Sequence, residues 1–123
     1  MARRNVLFDT NILIDYLSGI PQARIELERY SNRAISVITW MEVMAGATSA
    51  DERQIRAFLL TFTLLALTSE VAEQAVTLRR ERKIKLPDAI IKATAQTEDR
   101  LLITRNTRDF PSRDPSIRIP YRI

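Results

Sequence analysis

Cysteine and histidine are both missing from these 123 residues. Without cysteine there is no disulfide, no thiolate nucleophile and no zinc–thiolate site. Without histidine there is no imidazole general base, no Ser-His-Asp triad and no His-bound metal. Glycine occurs only at Gly19 and Gly46, too few for a P-loop or a Gly-rich dinucleotide turn. No apolar run approaches the roughly 20 residues that cross a bilayer. The chain carries Arg3 and Arg4 near its start, but Asp9 and Asn11 interrupt the apolar stretch that a signal peptide needs. The expectation is a cytoplasmic protein with no membrane contact, folded as one domain over residues 1–123. Any chemistry then falls to carboxylates, hydroxyls, Lys, Arg or a hard metal ion.

Charge is present but uneven. The net charge is +4, and arginine supplies sixteen of the nineteen basic residues. The run RRERKIK, Arg79–Lys85, holds five bases and one acid, so it equals the whole net charge. Such a run suits the end of a helix, where cations favour the dipole. It also suits a polyanionic partner, because Arg pairs two-pronged with phosphate. The second reading gains weight only beside an active site.

Strand and helix signals alternate along the chain. Asn5–Phe8 is a short apolar strand candidate, followed by helical spacing through Leu13, Ile14 and Leu17 to Gly19. Pro21 suits the first turn of a second helix. Ala34–Ile38 predicts a second strand, with Thr39 opening a helix that ends near Gly46. Asp51–Leu60 reads as a helix and Phe62–Leu67 as a third strand. Ser69 caps a long helix with Val71, Ala75 and Leu78 on one face. Pro87 begins another helix before the strand Leu101–Thr104. In the tail, Ile117, Ile119, Tyr121 and Ile123 alternate with Arg118 and Arg122, and Pro120 marks an edge strand. This alternation predicts an α/β fold with a mostly parallel sheet of four or five strands, flanked by helices on both faces.

Ligands of such sheets bind outside the carboxyl ends of the strands, and acids gather there. Asp9 follows the first strand, and Glu42 lies in the first turn after the second. Asp88 lies in the first turn of the helix from Pro87. Asn106 and Asp109 follow LLIT. Each has a local use. Asp9 suits an N-cap, Thr39 and Glu42 have capping-box spacing, Asp88 can pair with Lys92, and Asp109 can cap a turn. Together the same acids crowd like charge at one rim, a cost that a divalent cation removes. Oxygen ligands without His or Cys suit Mg²⁺ or Mn²⁺, which can activate water for attack on a phosphoryl group.

The stretches LFDTNILIDYL, ITWMEVMAG, LPDAIIKATA and LLITRNTRDF resemble, in that order, the motifs of PIN-domain ribonucleases. Length and closing pattern are similar to the VapC-type toxins of toxin–antitoxin pairs. The resemblance implies a three-layer PIN-like fold and a Mg²⁺- or Mn²⁺-dependent endoribonuclease, with tRNA or rRNA among its conceivable targets. It also implies a homodimer and a cognate antitoxin that covers the active-site groove. Asp9, Glu42 and Asp88 match the family's metal-binding acids. Thr10, Asn11 and Thr104 are expected to support them. Asn106 stands where many PIN domains carry a fourth acid, and Asp109 is the nearest substitute. The expectation is therefore one well-held ion at Asp9 and Asp88, with Glu42 acting on the ion or its water. Trp40, Leu59 and Leu60 are candidates for the antitoxin groove or for the core. A receiver domain lacks its adjacent acids and late Lys here. A non-catalytic nucleic-acid-binding module and a degenerate PIN domain remain the alternatives.

Overall fold

The computed structural model describes residues 4–123, so Arg3 lies outside it. The first strand, β1 (Val6–Phe8), is apolar at every position and fully buried, as expected of a strand covered on both faces. It passes directly into helix α1 (Thr10–Leu17). Helix α2 (Pro21–Glu28), strand β2 (Arg33–Ser36), helices α3 (Val37–Ala45) and α4 (Glu52–Leu59), and strand β3 (Thr63–Leu65) follow. Helices α5 (Ser69–Arg82) and α6 (Leu86–Thr97) then precede strands β4 (Leu101–Ile103) and β5 (Ile117–Arg118).

The five strands lie in the order β3-β2-β1-β4-β5, and every pairing is parallel. The chain runs outward from β1 to β2 and β3, then crosses back to β4 on the other side. The strand order therefore reverses between β1 and β4, which is where open α/β sheets place their ligands.

Alternate strand residues face opposite layers. Leu7, Ala34 and Leu102 face α5 and α6, in a core completed by Phe110 and Ile117. Val6, Phe8, Ile35 and Ile103 face the other way, toward Leu13, Leu27 and Val43 of α1 to α3. Phe8 makes edge-on contacts there with Tyr30 and Phe62, at 6.1 and 6.2 Å between ring centres. The expected three-layer α/β sandwich is present, and its sheet is parallel throughout.

Several boundaries differ from the expectation. The second strand stops at Ser36, not Ile38, because the Ser36 hydroxyl accepts the Ile38 N–H at 3.0 Å and starts α3. Thr39 is thus inside the helix, Glu42 lies in its second turn, and no capping box joins them. Replacing Ser36 by Ala should cost about 1 kcal/mol, read as a lower urea midpoint with an unchanged slope. Thr68 rather than Ser69 caps α5, accepting the Val71 N–H, and α6 begins one residue before Pro87. The third strand keeps only the middle of Phe62–Leu67.

The tail departs most. Only Ile117 and Arg118 pair in β5, at the sheet edge, because Pro120 has no N–H to continue the ladder. Beyond it the chain crosses the rim: Ile119 packs on one core and Tyr121 on the other, so the two do not share a face. Leu59 is core, whereas Leu60 is exposed. Trp40 is half-buried against the second core, with the Arg56 guanidinium 5.5 Å from its ring centre.

Candidate active site

Asp9 sits where β1 hands over to α1, and it serves as the helix N-cap. Its carboxylate accepts the Thr10 N–H at 2.7 Å, the Thr104 hydroxyl at 2.7 Å and the Asn11 amide at 3.2 Å. Its own N–H binds the Ile103 carbonyl, tying the end of β1 to the end of β4. The side chain is only 3% exposed, yet all three donors are neutral. Burial pushes the carboxyl above its ordinary value, the three donors pull it down, and the nearby Glu42 charge pushes it up again. A buried carboxylate held only by neutral donors has room in its electrostatics for a positive partner.

Glu42 reaches the same rim from the second turn of α3. The Thr10 hydroxyl donates to Glu42 Oε1 at 2.7 Å and shares a 2.9 Å hydrogen bond with the Thr39 hydroxyl. Thr39, expected as a cap, instead braces Thr10. Thr10, Asn11 and Thr104, the expected supports, all lie around Asp9 by these bonds.

Asp88 arrives from the first turn of α6 and is half-buried. Its carboxyl is pushed up to about 6, first by burial, then by the charges of Asp9 and Asp109 and a hydrogen bond shared with Asp109. It does not pair with Lys92. That lysine is buried on another face of α6, where Nζ donates to Ser116 Oγ at 2.8 Å and lies 3.5 Å from Asp114. Asn106 does not stand alone at the fourth position. Its side-chain amide donates to Asp109 Oδ2 at 3.0 Å and its oxygen accepts the Asp109 N–H at 3.2 Å. Asn106 therefore fixes Asp109, which is close enough to Asp88 to act on its charge.

Asp9, Glu42 and Asp88 line one cavity of about 400 Å³. A second of about 530 Å³ holds Asn106 and Asp109, and Asp88 and Arg105 line both. The acids taken from distant parts of the chain thus line two neighbouring cavities that share Asp88 and Arg105. Among the described residues, no three acids close into a ready-made ligand cage. Glu42 is turned toward Thr10, and Asp109 toward Asn106. Carboxylate oxygens lining an open cavity fit Mg²⁺ or Mn²⁺, which keeps part of its water shell beside one or two carboxylates.

One group of residues beside the site was not foreseen. The Arg105 guanidinium pairs two-pronged with Asp15, Nε to Oδ2 at 2.5 Å and Nη2 to Oδ1 at 3.0 Å. The Tyr121 hydroxyl donates to the same Asp15 at 2.9 Å, and the Arg105 N–H donates to Asn11 Oδ1 at 3.2 Å. The signal was in the helix spacing. Asn11 and Asp15 are four apart on an otherwise apolar α1, so one face presents two acceptors. Their partner lies ninety residues away, beyond any local pattern.

A parallel five-stranded sheet with carboxylates at the reversal of strand order defines the class. Residues 6–114 match the model of the PIN domain, and the chain belongs to that family. Its relatives are VapC-type. It is 32% identical over 124 residues to ribonuclease VapC19 of Mycobacterium tuberculosis, covering 94% of this chain and 98% of the relative. With ribonuclease VapC10 of the same species the identity is 31% over 114 residues, covering 86% of each. A solved toxin–antitoxin complex from Klebsiella pneumoniae contains a chain of the same fold. Its TM-score is 0.92 at 50% identity, covering 97% of this chain and all of that one.

Proposed function

We propose that this protein is a Mg²⁺- or Mn²⁺-dependent endoribonuclease acting as the toxin of a toxin–antitoxin pair. The observation that supports it most is the convergence of Asp9, Glu42 and Asp88 on one cavity. The names of the VapC19 and VapC10 relatives support RNA as substrate, and the Klebsiella complex supports an antitoxin partner.

Asp9 and Asp88 would hold the ion, with Glu42 beside it. A divalent ion bound there supplies Lewis-acid polarisation of the phosphoryl oxygen and a more acidic water. Glu42, fixed by Thr10, orients the attacking water and takes one of its protons. The water oxygen bonds to phosphorus, the bond from phosphorus to the leaving ribose oxygen breaks, that oxygen takes a proton from solvent, and Glu42 returns its own proton to solvent. Thr104 and Asn11 keep the Asp9 carboxylate in one orientation, which limits the reorganisation needed during reaction.

The test is cleavage of total cellular RNA by the purified, antitoxin-free protein with Mg²⁺, with Mn²⁺ and with EDTA. Discrete fragments that appear only with metal are the expected result. No cleavage by a folded, partner-free protein would instead favour the degenerate or purely binding alternatives, for which Asn106 at the usual acid position is the supporting observation.

A further inference from the structure

The run RRERKIK does not act as one patch. Arg79, Arg80 and Arg82 lie in the last turn of α5, where they favour the helix dipole, and Arg82 is near enough to Lys92 to affect its charge. The chain then changes direction. Lys83 ends the helix in the left-handed conformation, with φ of 56°, a position that glycine takes without strain and most side chains do not. Ile84 is buried in the core, so it anchors the turn while Lys83 and Lys85 on either side remain exposed. Both lysines line the cavity that adjoins the carboxylates, and Arg108 faces them from the loop after β4.

None of these three cations enters an ion pair among the described residues. Arg105, the fourth base at this cavity, is already held by Asp15. Three unpaired cations on two sides of an open cavity that shares Asp88 with the acidic one suit a strand of phosphates. We propose that Lys83, Lys85 and Arg108 form a phosphate-binding subsite for single-stranded RNA, holding the strand as it leaves the carboxylate cavity. The identity of the polyanion rests on the ribonuclease reading above. The left-handed lysine at the helix end then contributes its charge, in a place where glycine would be the easier residue.

The test is binding of one defined single-stranded RNA in EDTA, measured across about 50–200 mM salt. Lys83→Gly, Lys85→Ala and Arg108→Ala should each make the slope of log affinity against log salt shallower by about 0.7, one phosphate contact apiece. The pair Arg79→Ala and Arg80→Ala, outside the cavity, should leave the slope unchanged. Lys83→Gly should also melt at the same or a higher temperature than the parent, which separates a ligand-binding lysine from one that merely stabilises the helix end. Unchanged slopes in the three cavity variants would overturn the subsite. So would an equal loss in the Arg79 and Arg80 control, or no RNA binding by the parent. If the parent binds with the expected slopes yet never cleaves in Mg²⁺ or Mn²⁺, the ribonuclease reading fails and the subsite stands.

Discussion

Replacing Asp88 by Asn is expected to lower metal-dependent RNA cleavage about a thousand-fold or more while making the metal-free protein harder to unfold at neutral pH. The second half follows from the site's electrostatics. The Asp88 carboxyl is pushed up to about 6, chiefly by burial and by Asp9 and Asp109. Near pH 4 and below, the folded protein keeps this proton and is spared the charge. As pH rises through about 6 the proton leaves, and the native state alone bears the crowding. Stability from this group is therefore present at low pH and lost as pH rises through the folded value. Asparagine removes that loss. The variant's advantage should be near zero at pH 4 and constant above about pH 7, on the order of 1 kcal/mol because Asp88 is half in solvent. Added Mg²⁺ at pH 8 should raise the melting temperature of the parent more than that of the variant. A variant that cleaves RNA at the parent's rate, or melts lower at pH 8 in EDTA, would sink the assignment.

The second large effect is expected away from the acids. Asp15→Ala should destabilise the fold by about 1–2 kcal/mol, since a buried acceptor is removed from a pair whose arginine is partly in solvent. Two groups lose their acceptor at once, the Arg105 guanidinium and the Tyr121 hydroxyl. Chemical denaturation gives the loss directly. The accompanying functional change is a readout that packing alone would not produce. Arg105 lines both cavities, and once freed it can fold toward Asp9 and Asp88 as a competing cation. The variant should need several-fold more Mg²⁺ for half-maximal cleavage. Asp15→Glu, which keeps the charge, should recover part of that requirement. A metal requirement equal to the parent's in a folded Asp15→Ala protein would show that Asp15 has no part in the site.

Much of this molecule can be read in its amino-acid order, and the part that cannot has a common cause. The apolar strands around Leu7, Ile35 and Leu102 declare themselves, because strands buried on both faces carry little else. Asp9 is legible for the same reason: a charge between two such runs has to mark the sheet rim. The ends of elements are less so. Ser36 and Thr39 are both plausible caps, and only the sheet decides which one meets the first turn. Charge partners are the least legible. The local rule pairs Lys92 with Asp88 one turn away, yet Lys92 turns to Ser116 and Asp114. Arg118 likewise crosses to Glu26, at 2.6 and 3.0 Å. Such pairs join residues whose proximity exists only after the strands have assembled. Asn106 is intermediate. Its lack of charge is visible in the order of residues, but its hold on Asp109 exists only in the folded loop.

The bond from Thr104 to Asp9 joins residues 95 positions apart, and β1 cannot be flanked on both sides until β4 is in place. Long-range parallel pairing of this kind forms late and slowly, because distant parts of the chain must meet before any contact rewards them. Asp9 therefore gains its bond from Thr104 and its tie to the end of β4 only once the C-terminal strands dock, so its carboxylate is oriented only in the fully assembled sheet.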